Sequence, residues 1–101
     1  MPLFIMVRER GPDWNWSLSM RKQPDFAVHA AFMDALGEER FIIAGGPLGD
    51  EDRAARVLHI IEAPSKAVVE ARMDQDPWGQ DMLTTVSIEP WNVLIGSLER
   101  S

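Results

Sequence analysis

Apolar and polar positions alternate from the start of the chain. Leu3, Ile5 and Val7 fall on one side, and Phe4, Met6 and Arg8 on the other, which predicts a strand over 3–8. Gly11-Pro12-Asp13 breaks the pattern. Residues 14–23 then read as a long connection carrying Trp14 and Trp16, aromatics large enough to need a core edge or a ligand to pack on. After Pro24 the period changes. Phe26, His29, Met33 and Leu36 follow helical spacing with Ala30 beside them, so a helix opens at Asp25, whose carboxylate suits the free amides of the first turn. Gly37 weakens it near its end.

The second half repeats the alternation of elements. Residues 40–46 predict a strand stopped by Gly45-Gly46-Pro47, and 56–62 predict another, the two forming a hairpin with a solvated acidic tip at Asp50, Glu51 and Asp52. Ser65 caps a second helix expected to run to about Gln75, ended by Pro77 and Gly79. Residues 84–88 and 91–95 read as a last extended stretch, with Pro90 marking an edge or a bulge between them. Strand, helix, strand, strand, helix, strand is the ferredoxin-like order: α+β, with an antiparallel sheet and both helices on one face.

The strands are apolar on both parities. Phe41 and Ile43 oppose Ile42 and Ala44, and Leu58 and Ile60 oppose Val57 and Ile61. A sheet with helices on one side needs cover for the other. The expected cover is a second copy, giving a homodimer, with the apolar stretch from Trp91 to Leu98 either crossing to the partner or completing its own sheet.

With 101 residues, 46% of them hydrophobic, the chain is expected to form one domain over 1–101 with a core of its own. Net charge is −6 and pI about 4.7, with the ten basic residues scattered, which argues against nucleic acid and anionic membranes as partners. No apolar run reaches the roughly 18 residues of a membrane span, and no signal peptide is seen. The absence of cysteine excludes disulfide and thiolate chemistry and suits a cytoplasmic protein.

The candidate chemistry lies in His29, on the apolar stripe of the first helix, and Asp76, just past the second helix in Asp76-Pro77-Trp78. Brought to one cleft they would form a general-base pair, the carboxylate fixing the imidazole tautomer. The other reading is a histidine bonded to a backbone carbonyl and an aspartate capping a turn. Gly46 and Pro47 allow backbone to approach a ligand or simply end a strand. Trp14, Trp16 and Trp78 could wall a flat substrate or fill the core, and Met33, Met73 and Met82 read as core filler. His59 sits on the third strand at the parity of Val57 and Ile61, suited to an interface or an internal hydrogen bond. No metal-ligand spacing such as His-x-x-x-His occurs, so no metal is expected.

Several of these segments occur together in a known order. His29 to Leu36 (HAAFMDAL), Ala44-Gly45-Gly46-Pro47-Leu48, Asp76-Pro77-Trp78 and Ile88-Glu89-Pro90-Trp91 resemble the YciI-like (YCII-related) family over roughly His29 to Trp91. The resemblance implies a dimeric α/β barrel. It also implies an active site with a histidine and an aspartate, matched here by His29 and Asp76, and neither metal nor organic cofactor. One related branch dehydrochlorinates a chlorinated hydroquinone, and the wider superfamily includes lactone isomerases and cofactor-free oxygenases. The expectation is therefore a small-molecule enzyme using a His-Asp acid/base pair, with lyase, isomerase or dehydrochlorinase-like chemistry on a ligand not named by the sequence. The alternative is a non-catalytic dimer that binds a small ligand or serves as a structural accessory. The chain departs from the family in the long Trp-bearing connection before the first helix, which could line the pocket mouth.

Overall fold

The structure is a computed structural model that describes residues 1–98; the end of the expected domain, 99–101, lies outside the described residues. Its elements are β1 (Leu3–Arg10), α1 (Phe26–Glu38), β2 (Ile42–Pro47), β3 (Arg56–Glu62), α2 (Lys66–Met73), a one-turn α3 (Gly79–Met82) and β4 (Leu83–Trp91). The sheet is antiparallel in the order β2-β3-β1-β4. The fold is α+β and ferredoxin-like.

Register decides which residues face the helices. β1 pairs with β3 so that Phe4 meets Ile61, Met6 meets His59 and Arg8 meets Val57. These inner residues are buried, whereas Ile5, Val7, Leu58 and Ile60 on the outer face are half-buried. Over one end of the inner face, Leu36 of α1 and Val69 and Met73 of α2 close a core with Phe4, Met6, Phe41, Ile42, Ile61 and Ile88. A second cluster, at the other end, joins Trp14, Val57, Trp78 and Leu83, with Phe26, Met20 and Met82 against it.

Several boundaries differ from the sequence expectation. β1 runs on to Arg10, so two arginines continue the buried parity of Phe4 and Met6. Asp25 is in the cap position of α1 but at φ 61°, a left-handed conformation in which its side chain makes no capping bond. A cap needs extended backbone for the side chain to turn back on the amides; Pro24 and Gln23 direct the chain otherwise, and the Asp25 carbonyl accepts from the amide of His29 instead. Ser65 does cap α2, accepting from the amide of Val68 at 3.3 Å, and α2 stops at Met73 rather than Gln75. Pro90 lies within β4 rather than between two stretches, and β4 is an edge strand, the edge that a proline was expected to mark. The irregularity lies earlier: Val7 pairs with Ser87 and Arg8 with Thr85, leaving Val86 as the bulged residue. Among the described residues beyond Trp91 there is no strand, and Leu94 and Ile95 are 85% and 93% exposed.

The acidic hairpin tip is not simply solvated. Asp52 accepts from the amide of Met20 at 2.8 Å, Glu51 pairs with Arg21 at 3.0 Å, and the Glu51 carbonyl accepts from Arg10 Nη2 at 2.9 Å. Buried Gln23 closes the other side of the long connection, donating to the carbonyl of Asn15 at 2.7 Å and accepting from its amide at 3.1 Å. The start of the connection is pinned at Gly11, where a Cβ would lie 2.3 Å from the carbonyl oxygen of Asp81. These bonds dock the segment against the pocket end of the sheet.

Candidate active site

Two arginines at core parity set up the site. Arg8 is 2% exposed, and its guanidinium makes three contacts. Nη1 donates to Asp76 Oδ2 at 2.8 Å, Nε donates to His59 Nε2 at 3.2 Å, and Nη2 lies 3.7 Å from the sulfur of Met33. Asp76 uses its other oxygen twice. Oδ1 lies 2.8 Å from His29 Nδ1 and accepts the amide of Trp78 at 2.9 Å. The amide bond explains the Asp-Pro-Trp spacing. A short carboxylate can reach its own backbone two residues on, a turn that proline at the middle position favours.

Tautomers follow from these partners. An arginine N–H can only donate, so His59 Nε2 must be bare and a neutral His59 carries its proton on Nδ1. An ionised Asp76 can only accept, so His29 donates from Nδ1 and leaves Nε2 as the ring atom available to a ligand. The His29 ring is stacked on Trp78 at 3.8 Å between centroids and 11° between planes, which holds its orientation. Trp78 is itself fixed by its Nε1 donating to the Pro24 carbonyl at 2.7 Å and by edge contact with Trp14 at 5.3 Å.

Electrostatics keep each group in a definite state. Burial pushes the Asp76 carboxyl up, but hydrogen bonds from His29, the Trp78 amide and Arg8 together outweigh it, and the group sits below the usual carboxylate range. Burial is also the main cause that lowers Arg8, with the Asp76 bond and charge opposing it. His59 falls to about 3, first from burial and then from the charges of Arg8 and His29. The network is therefore one cation and one anion, Arg8 and Asp76, flanked by two histidines of which His59 stays neutral.

The network opens onto a cavity of about 440 Å³. That is within the usual range for small-molecule sites. Arg8, Arg10, His59 and Gly45 to Pro47 line its sheet side, Phe26, His29, Ala30 and Met33 its helix side, and Trp78 and Leu83 its end. Gly45 is needed there, because a Cβ would lie 2.9 Å from His59 Nδ1. A wider hollow of about 480 Å³ lies elsewhere, along Trp16 to Ser19, Asp50, Asp52 and Arg53, and none of the network residues reaches it.

No family model matches the chain, and no curated protein matches it. A solved structure does. The 5-chloro-2-hydroxyhydroquinone dehydrochlorinase of Burkholderia phenoliruptrix, in complex with 2,5-dihydroxybenzoquinone, matches at 25% identity and a TM-score of 0.66, over 89% of this chain and 93% of that one. The likeness supports the fold superfamily expected from the resemblance, the dimeric α/β barrel type.

Of the residues singled out in the sequence, the structure brings His29, Asp76 and Trp78 into direct contact and puts Gly46 and Pro47 on the same cavity. Two tryptophans are placed differently. Trp14 is 4% exposed and packs against Trp78 and Arg10 outside the lining; Trp16 is 55% exposed and belongs to the other hollow. Their connection docks through Gln23 and the hairpin tip, which turns Trp16 away. Sequence reasoning missed Arg8 and Arg10 as site residues and gave His59 an interface position or an internal hydrogen bond rather than a place in the site. A signal was present: all three fall at the buried parity of their strands, where a charged or polar side chain needs a partner. Among the described residues, no group of three or more histidine, aspartate or glutamate side chains is placed to hold a metal ion, and no helix is long and apolar enough to cross a membrane.

Proposed function

We propose that this chain is a cofactor-free small-molecule enzyme of the YciI-like type, with His29 as general base and acid and Asp76 as its positioning residue. The observation that carries the reading is the 2.8 Å bond from His29 Nδ1 to a buried, fully engaged carboxylate beside a cavity of ligand size. Nε2 of His29 takes a proton from a phenol or from carbon beside a carbonyl, and later returns it. Asp76 does not line the cavity, so it acts through His29.

The charge balance suits this step. Before reaction, Arg8 and Asp76 cancel. Proton abstraction from a neutral phenol leaves an imidazolium and a phenolate, a pair that is again neutral overall. A buried site favours such a step over one that creates a lone charge. By analogy with the structural neighbour, a chlorinated hydroxyhydroquinone is the first substrate to try. Loss of a phenolic proton and protonation of the chlorine-bearing ring carbon would give a keto tautomer; loss of a second hydroxyl proton with departure of chloride would then release HCl and leave a hydroxyquinone, with no external oxidant.

We also propose that the protein is a single domain over 1–101 that works as a cytoplasmic homodimer. Support for the dimer comes from the half-buried Ile5, Val7, Leu58 and Ile60 on the sheet face away from the helices.

The test is chloride release from 5-chloro-2-hydroxyhydroquinone. Wild-type protein should accelerate it, and His29→Ala should lose at least about 100-fold in kcat while its mass in solution is unchanged. Equal rates in the two proteins would end the catalytic claim. Ligand binding without turnover would assign the non-catalytic alternative.

A further inference from the structure

Four buried side-chain nitrogens have no hydrogen-bond partner among the described residues: Nε and Nη1 of Arg10, Nδ1 of His59 and Nε1 of Trp14. With His59 in the tautomer set by Arg8, every one of them is an N–H donor. No buried side-chain oxygen is left without a partner. A buried donor that lacks an acceptor is costly, and more so when charged. Random packing defects would leave both kinds of group. Here the deficit has one sign, and two of the three residues, Arg10 and His59, line the same cavity.

The charges point the same way. The chain carries −6, yet the cavity lining holds Arg8, Arg10 and Arg21 against a single acid, Asp34. Arg8 is matched by Asp76 and Arg21 by Glu51. Arg10 is 9% exposed and, among the described residues, has no carboxylate in ion-pair contact; its Nη2 donates to a backbone carbonyl, and Asp52 and Glu51 act on it only through space. Its guanidinium stacks on Trp14 at 3.9 Å, which leaves its edge for further hydrogen bonds.

We propose that the cavity selects a small conjugated oxyanion (an enolate, phenolate or carboxylate) drawn to the Arg10 guanidinium that lines it. Arg10 is the specificity-determining residue. An arginine edge offers two parallel donors, the geometry that two neighbouring oxygens fit best. Phe26 and Trp78 on the lining suit a flat carbon skeleton. The inference rests on the reading of this cavity as the ligand site, but not on any catalysis there.

The test is calorimetric titration of the full chain with matched probes. 2,5-Dihydroxybenzoquinone, ionised at neutral pH, is compared with its neutral dimethyl ether, and benzoate is compared with benzamide. At least one anion should bind about tenfold or more tightly than its neutral twin, and the ratio should fall as salt is raised. Arg10→Met should bring the ratio close to one, and Arg10→Lys should keep part of it. If Arg10→Met does not fold, Arg10→Lys and the salt series carry the decision: an undiminished ratio in both overturns the proposal. Equal affinity for anion and neutral twin in wild-type protein overturns it as well, as does absence of binding by either anion. His29→Ala separates this claim from the catalytic one, because it should retain the anion preference whether or not wild-type protein shows turnover.

Discussion

The inner face of the sheet has two halves built on one backbone pattern and opposite chemistry. In one half Phe4, Met6, Ile61 and Ile88 lie under Leu36, Val69 and Met73 in one apolar cluster, the dry half. In the other, the same parity on the same strands continues as Arg8, Arg10 and His59 beneath His29. Burial is nearly equal: Met6 and Arg8, two positions apart on β1, are both 2% exposed. What differs is the source of stability. Apolar burial contributes roughly 25 cal/mol per Å² with no demand on geometry. The Arg8–Asp76 pair must first offset the removal of two charges from water, so its net contribution is small and its dependence on each partner large. A fold seeking stability alone would have no reason to replace apolar packing with such a pair. The polar half is where the proposed site lies, and the apolar half is the scaffold that holds it.

The largest effect expected is at Arg8. Arg8→Met leaves Asp76 a buried carboxylate without its cation and should cost about 3–5 kcal/mol in urea unfolding. Arg8→Met combined with Asp76→Asn should recover a measurable part of that loss, since the stranded charge is gone. If the double variant is as unstable as the sum of the singles, the two halves differ less than their composition implies.

Leu36→Ala acts on the dry half. It should cost about 2–5 kcal/mol through lost burial and a residual cavity. Ligand affinity in the folded fraction should not change, because Leu36 does not line the cavity. A parallel loss of affinity would show that the halves are coupled.

The most gradual effect, spread over several pH units, concerns pH. His59 is held neutral down to about 3 in the folded chain, whereas it takes up a proton near 6.5 when unfolded. Between those values the unfolded state binds more protons, so stability falls as pH falls, by up to about 1.4 kcal/mol per pH unit from this one group. His59→Gln, whose amide oxygen can still accept from Arg8, should flatten that acid limb in denaturation measured from pH 7 to pH 4. Asp76 acts in the same sense at lower pH: its depressed carboxyl stabilises the fold above the unfolded carboxylate pKa of about 3.9, and that support is lost as pH falls through the folded value. An unchanged slope in His59→Gln would mean that His59 is not the buried neutral group described.

Much of the scaffold was legible in one dimension because its signals are local. Period two in 3–8 and 56–62, helical spacing from Phe26 to Leu36, and a serine three residues ahead of an amide it caps each need only neighbouring residues. The first contacts of the site were legible in part. His29 on an apolar helix face and Asp76 beside a helix end stood out as polar groups in positions that demand partners. Asp25 as a side-chain cap was a local inference that failed because the tertiary chain path set the backbone there, whereas Pro90 as the mark of an edge held. Asp25 is left-handed, and Pro90 has an outer edge to face.

Sequence alone determined the order of the main elements and the ferredoxin-like class. Only the tertiary structure decided that Arg8 would join Asp76 to His59, that the long connection would dock by Gln23 and turn Trp16 outward, and that Arg10 would keep unpartnered donors over a cavity. The reason is register. Alternation states which face a side chain takes, but the pairing of Met6 with His59 and of Arg8 with Val57 is a relation between strands some fifty residues apart, set when the whole sheet closes.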